Sequence, residues 1–388
     1  MQRLGDYIDQ IRGVSYKPAD VRDENAGIAI LRANNIQDKV DLSDLVYVDE
    51  NKVSDVQFLK KGDVLICASS GSKNLVGKAV LIPNDMNASF GAFCKVVRIK
   101  QISEVNSDFI RMFFLSKNYR NAIAECSIGA NINNIKSDHL NGLGINIPNY
   151  DIQCSAVDYL TKLKQAIDLK RKQLQDLDEL VKSKFQEMFG DESKFDKQPL
   201  SKSVVEMFIG PFGSALKNEC FVDREQGHCI VYEQKHAIKK TIDLPARYIT
   251  EEKYNELRRF TVLPDDIIIS CRGTIGEVYT IPQGAPLGVI HPSLMKIRLK
   301  SGVYNNVFFT YIIEKYMQEH AYKAVGNCVK MAVTATVLGK ESFIVPSKKM
   351  QDDFAQYDKG VRKAKEIVQH EIDDLEELMD SKMDEYFG

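Results

Sequence analysis

The chain matches itself at an offset of about 198 residues, and this repeat limits its architecture more than any local pattern does. Leu180-Val-Lys-Ser-Lys-Phe-Gln-Glu-Met-Phe-Gly190 lies over Leu378-Met-Asp-Ser-Lys-Met-Asp-Glu-Tyr-Phe-Gly388, with six identities in eleven positions and no gap. Upstream, Ile147-Pro148 lies over Val345-Pro346, and Asp108-Phe-Ile-Arg-Met-Phe-Phe-Leu115 over Asn306-Val-Phe-Phe-Thr-Tyr-Ile-Ile313. Cys94 to Lys100 lies over Leu294 to Lys300, and Gly62 to Cys67 over Asp265 to Ser270, the offset drifting to 200 and 203 as loops differ. The fold must therefore be two copies of one unit, which suits the 388 residues of the chain.

Each copy changes character once. Short β-branched runs (Asp63 to Cys67, Ala79 to Ile82, Lys95 to Ile99) separated by Gly, Asn, Pro and Ser predict strands and loops, interrupted by one amphipathic helix near Asp108 to Leu115. After Pro148 the period becomes helical: Leu160, Leu163, Ile167, Leu174, Leu177 and Val181 follow three- and four-residue steps, with Lys170 the polar interruption. Val361, Val368, Ile372, Leu375 and Met379 form the matching seam, interrupted by Lys365. From Asp151 to Phe189 there is no Gly or Pro, which allows a helix of about 60 Å at 1.5 Å per residue.

A narrow heptad seam needs a second helix, and two of matching length are present. The expected fold class is α+β. It has two tandem α/β domains, each followed by a long helix, and the helices pack as an antiparallel coiled coil with pseudo-twofold symmetry. The expected boundaries are 1–150 and 191–349 for the domains, and 151–190 and 350–388 for the helices. The competing arrangement packs each helix on its own domain or uses it to dimerise.

Composition narrows the function. Hydrophobic residues at 44% and charged residues at 27% are globular values, and no apolar run reaches membrane-spanning length. The opening Met1 to Gly13 lacks the basic and apolar regions of a signal peptide, so a cytoplasmic location is expected. The net charge of -2 hides an uneven distribution: residues 350–388 carry twelve acids against five bases, and the remainder is mildly basic. The eight cysteines form no CxxC pair, so neither a zinc site nor a disulfide framework is expected, and no metal is assigned.

Catalytic signatures are missing. Gly71 to Gly77-Lys78-Ala79 is one residue too long for a P-loop and has alanine where a magnesium-binding hydroxyl belongs. No GxGxxG follows a strand, HExxH and GxSxG do not occur, and the six histidines are scattered.

Two variable α/β units, each followed by a heptad helix, resemble the specificity (S) subunit of Type I restriction-modification systems. The opening Leu4 to Gly13, the segment Gly62-Asp-Val-Leu-Ile66 with Ser69-Ser70-Gly71, and Asp266 to Gly276 carry the resemblance. So do the exits Gly142 to Pro148 with Gln153 beyond and Phe343 to Pro346 with Gln351 beyond, similar to the proline-then-glutamine lead into that family's spacer helices. The resemblance implies a subunit without catalysis of its own. Each target-recognition domain would read half of a split, asymmetric sequence in double-stranded DNA, and the helices would act as a ruler. Two modification (methyltransferase) subunits would dock on the helices, with restriction subunits as further partners and no membrane association. S-adenosylmethionine is expected only in the partner methyltransferase, and no cofactor in this chain.

Loops rich in amides, hydroxyls and bases supply the contacts that base edges and phosphates require. In the first domain the DNA-binding candidates are Tyr16, Lys17, Ser70, Lys73, Asn74, Asn131, Asn133, Asn134 and Lys136. In the second they are Lys217, Asn218, Lys235, His236, Arg272, Thr274 and Lys330. DNA is expected to run over the domains and away from the acidic second helix. Two other readings stay open: a coiled-coil adaptor with two protein-binding ends, and an enzyme fused from two unrecognised halves.

Overall fold

The structure, a computed structural model, describes residues 1–72, 74–128, 134–272, 274–320, 322–325, 328–331 and 334–388. The chain divides into two compact units, residues 1–173 with 368–388, and residues 174–367.

In the first unit one four-stranded sheet has the order Ile8–Arg12, Cys94–Ile99, Val64–Cys67, Ala79–Leu81, all antiparallel. The second sheet runs Val21–Arg22, Val46–Val48, Ile28–Leu31, Ala88–Phe90, with the last two strands parallel. Val64–Cys67 reads as a continuous apolar run because it is buried on both faces. The amphipathic segment expected near Asp108 forms helix Ser107–Phe113, whose first turn is capped by the Asn106 side chain accepting from the Asp108 N–H.

The second unit repeats the first sheet and three strands of the second, whose fourth strand lies on the opposite edge. Its first sheet has the order Val204–Ile209, Leu294–Leu299, Ile267–Ser270, Val278–Thr280, antiparallel throughout. In its second sheet Cys229–Tyr232 lies parallel to Gly288–Ile290, flanked by Arg247–Ile249 and Thr261–Val262.

The two long helices, Tyr150–Phe189 and Lys348–Phe387, each have 40 residues and pack against each other. In the first unit Ala156 and Leu160 share a core with Met383 and Phe387, while Lys170 pairs with Glu371 at 2.7 Å. In the second unit Lys365 pairs with Asp178 at 2.5 Å, while the Phe185 ring meets Phe354 at 5.3 Å. Within each unit rising numbers on one helix meet falling numbers on the other, so the contact is antiparallel. Leu160, Leu163, Ile167, Val181, Val361, Val368 and Ile372 are buried in the seam, and Leu174, Leu177, Leu375 and Met379 are half-buried. The two lysines that interrupt the apolar pattern reach across it to acids, which satisfies their charge at the cost of an otherwise dry seam.

The glutamine at the head of each helix anchors it to its own domain. Gln153 donates to the carbonyls of Pro148 and Glu104 and accepts from the Asn106 N–H at 2.8 Å. Gln351 repeats the set, donating to Pro346 and Val303 and accepting from the Asn305 N–H at 2.8 Å. Both side chains are buried, and every polar atom of each amide head is engaged.

Candidate nucleic-acid interface

In the first unit, strand Ile8–Arg12 leaves its sheet through Gly13 and Val14, which run against the turn after Ala88–Phe90. The Val14 N–H donates to the Phe90 carbonyl at 2.8 Å. A Cβ on Gly13 would stand 2.1 Å from the Gly91 carbonyl oxygen, so only glycine allows this approach. Two clefts flank the crest so formed and share Ser15, Ala92 and Cys94. One, of about 680 Å³, is lined by Tyr16, Arg32, Asn34, Ser69, Ser70 and Phe93 among others. The other, of about 570 Å³, is lined by Arg12, Lys95, Asn134, Lys136 and Asp138 among others.

The clefts present cations on firm supports. Arg32 pairs with Asp44 at 2.8 Å, and its buried Nε has no hydrogen-bond partner. Lys95 is nearly buried, donating to Gln10 Oε1 at 3.2 Å and Ser137 Oγ at 3.1 Å. Burial, and then the charge of Arg12, hold its ammonium below the ordinary lysine range.

Of the residues expected from sequence, Tyr16 and Ser70 line the first cleft and Asn134 and Lys136 the second, so these four are divided between the two clefts that flank the crest. Lys17 and Asn74 are exposed, their main chains engaged by Asp20 and Arg120 respectively. Lys73, Asn131 and Asn133 lie outside the described residues.

The second unit builds the same crest from different residues. The Gly210 N–H donates to the Leu294 carbonyl at 2.9 Å, and a Cβ on Gly210 would stand 2.4 Å from the His291 carbonyl oxygen. Arg272 and Thr274 are exposed on the loop after Ile267–Ser270, where the first unit has Ser69 and Gly71. The Thr274 carbonyl accepts from Ser270 Oγ at 2.6 Å. Lys217 and Asn218 are exposed on a separate turn. Lys235 is paired with Glu233 at 3.0 Å. Lys330 stands in strand Cys328–Met331, and its side chain falls outside the description.

His236 is a correction. It is fully buried in helix Gln234–Lys239, its ring edge-on to Tyr232 at 5.6 Å and its Nδ1 accepting from the Glu233 N–H at 2.9 Å. An imidazole held this way caps a turn and offers no edge to a duplex. Burial lowers its pKa from the ordinary 6.5. The folded state therefore takes up the proton less readily than the unfolded chain. Its contribution to stability is complete above about pH 6.5 and is lost as pH falls towards the lowered folded value. Chemical denaturation of the wild type and of His236→Gln between pH 7.5 and 5 measures this. The acid-induced loss should be smaller in the variant, and equal slopes would assign the loss to other groups.

Residues 2–179 match the family described as Type I restriction modification DNA specificity domain. That match takes in less than half of the chain and lies in the first repeat with its helix. The chain is 37% identical over 175 residues to the Type I restriction enzyme StySPI specificity subunit of Salmonella potsdam, covering 44% of this chain and 37% of that one. It is also 37% identical over 183 residues to the EcoKI specificity subunit of Escherichia coli strain K12, covering 46% of this chain and 39% of that one. The matched stretch thus spans less than two fifths of either curated relative. A chain of a solved structure on complex assembly and conformational transition of the type I R-M system superposes with a TM-score of 0.61 at 14% identity. That match covers 98% of this chain and 97% of the other, a likeness of fold that includes both repeats.

Within the matched stretch the expectations from sequence left out Arg12, Arg32, Asn34, Phe93 and Lys95, which line the two clefts. Arg32-Ala-Asn-Asn35 was open to detection, because an amide-rich turn directly follows the apolar strand Ile28–Leu31. Lys95 gave no such sign, since it sits inside a strand where lysine reads as solvent-facing.

Proposed function

We propose that the chain is the non-catalytic DNA-sequence-recognition subunit of a Type I restriction-modification system, each repeat reading one half of a bipartite, asymmetric site. The observation that carries this reading is the match of residues 2–179 to a Type I specificity domain, together with a second unit whose first sheet has the same strand order and whose two-loop crest is the same. Two unlike readers suit a non-palindromic target, since half-site geometry follows reader geometry. The clefts pair guanidinium and ammonium groups with amides and hydroxyls, the set that positions a protein on phosphates and reads base edges.

In this reading the long helices set the spacing and offer their outer faces to two methyltransferase subunits, with restriction subunits joining the assembly. S-adenosylmethionine belongs to the methyltransferase partner, which would act on a flipped base. No described helix is long and apolar enough to cross a membrane, and a subunit that reads genomic DNA would work in the cytoplasm.

Co-expression with a methyltransferase encoded beside it, followed by sequencing of host DNA for modified adenines, tests the reading. The expected result is one split motif with two unlike halves that disappears when this chain is deleted. A stable complex without chain-dependent methylation would overturn it.

A further inference from the structure

Of the eighteen phenylalanines, sixteen are buried or half-buried and two are exposed, Phe93 at 70% and Phe212 at 90%. Both stand on the crest where the two loops of each unit touch. Strand register makes the equivalence explicit. Arg12 pairs with Lys95, which places Gly13 opposite Cys94, and Ile209 pairs with Met295, which places Gly210 opposite Leu294. Ser15 and Phe212 therefore occupy one position, two residues beyond the glycine. Phe93 and Ser293 occupy the other, immediately before Cys94 and Leu294. The carbonyls of Phe93 and Ser293 accept corresponding bonds, from the Ala68 N–H at 2.9 Å and the Cys271 N–H at 2.7 Å.

The pair is Ser15 and Phe93 in the first unit and Phe212 and Ser293 in the second. Each crest carries one exposed phenylalanine and one serine, with the two loops interchanged. A single exposed apolar side chain needs no explanation. That the two exposed phenylalanines stand on the equivalent crest of each unit, one from each of the two loops that form it, does need one.

Neither ring is on a loose tip. The Phe93 carbonyl accepts from both Ala68 and Ser69 N–H groups at 2.9 Å, and the Phe212 carbonyl accepts from the Ala215 N–H at 2.8 Å. In the first unit the ring shares its cleft with Arg32, Asn34 and Ser70, so an apolar plate is surrounded by groups that suit phosphates and base edges. In the second, Arg272 stands where Ser69 stands in the first, on the loop whose main chain bonds the crest.

We propose that Phe93 and Phe212 are base-stacking wedges, each entering one base step of the duplex half that its domain reads. The proposal rests on the DNA-recognition reading above. An aromatic ring inserted between bases exchanges base–base stacking for base–ring stacking and opens the step, which lets flanking polar groups reach base edges. Because either loop can supply the ring, its place is common to both domains while the surrounding readers differ.

The test uses the full chain in complex with its co-expressed methyltransferase, and duplexes selected by that complex from a random-sequence library. Phe93→Ala and Phe212→Ala should each lower affinity about tenfold or more, the value of one base–aromatic stack. The slope of log affinity against log salt should stay unchanged, because no phosphate contact is removed. Phe93→Trp and Phe212→Trp should bind close to wild type. Permanganate reactivity of unstacked thymines should vanish in one half-site for each alanine variant. Alanine variants that bind as wild type, or tryptophan variants that lose as much as alanine, would overturn the wedge while leaving the DNA reading intact. A wild-type complex with no salt-sensitive affinity for any duplex would overturn that reading and the wedge with it.

Discussion

Phe387→Ala is expected to destabilise the first unit by about 3 to 5 kcal/mol, the range for removing a fully packed aromatic ring from a core. Its ring is buried against Phe109 at 4.7 Å and Phe113 at 6.1 Å, and its carbonyl accepts from the Asn118 side chain. A residue so late in the sequence thus completes a core assembled near residue 110. Phe189 does the same for the second unit, buried against Phe308 at 4.6 Å and Phe354 at 5.7 Å. The two variants should act on different units. Hydrogen exchange should accelerate in strands Val64–Cys67 and Cys94–Ile99 for Phe387→Ala, and in Ile267–Ser270 and Leu294–Leu299 for Phe189→Ala. A Phe387→Ala protein whose first-unit strands exchange at the wild-type rate would show that the end of the second helix does not support this core.

Much of this architecture was legible because the features that encode it repeat. The heptad steps from Leu160 to Val181 and from Val361 to Met379 marked the helices and the faces they bury, and Pro148–Gln153 and Pro346–Gln351 marked where they begin. The pairing of Phe387 with Phe109 was not legible. A terminal aromatic gives no sign of its partner, and its destination follows only once the helix direction is known. His236 was misread for a related reason: a histidine between Lys235 and Ala237 looks like loop chemistry until a short helix turns it inward. The wedge pair was invisible to alignment at a fixed offset, because Phe93 and Phe212 are not equivalent in sequence. Strand register alone shows that each stands on the same crest of its own unit.

The second large effect concerns the carboxylate at the start of an inner strand of each first sheet, just before Val64–Cys67 and Ile267–Ser270. Asp63 accepts from Arg98 Nε and Nη2 at 2.8 and 2.7 Å, and Asp266 from the same atoms of Arg298 at 2.6 and 2.7 Å. Each also accepts a main-chain N–H three residues earlier, from Lys60 and Leu263, closing the turn into its strand. Removing one partner of a buried ion pair costs about 3 to 5 kcal/mol, because the remaining charge keeps its desolvation penalty. Asp266→Ala should fall high in that range. The almost fully buried Lys296 lies 3.5 Å from Asp266, so losing the acid leaves Lys296 and Arg298 sharing Glu206 alone. Asp63→Ala should cost less, because it orphans only Arg98, whose side chain retains some access to water. Lys296→Met in the Asp266→Ala background should restore part of the loss by removing the surplus buried charge. In the wild type the same change should destabilise, and such opposite signs at one residue require the two charges to be energetically coupled. Denaturant unfolding of the four proteins, wild type, each single variant and the double, measures that coupling. Additive losses would show that Lys296 and Asp266 act independently and that Glu206 alone neutralises the lysine.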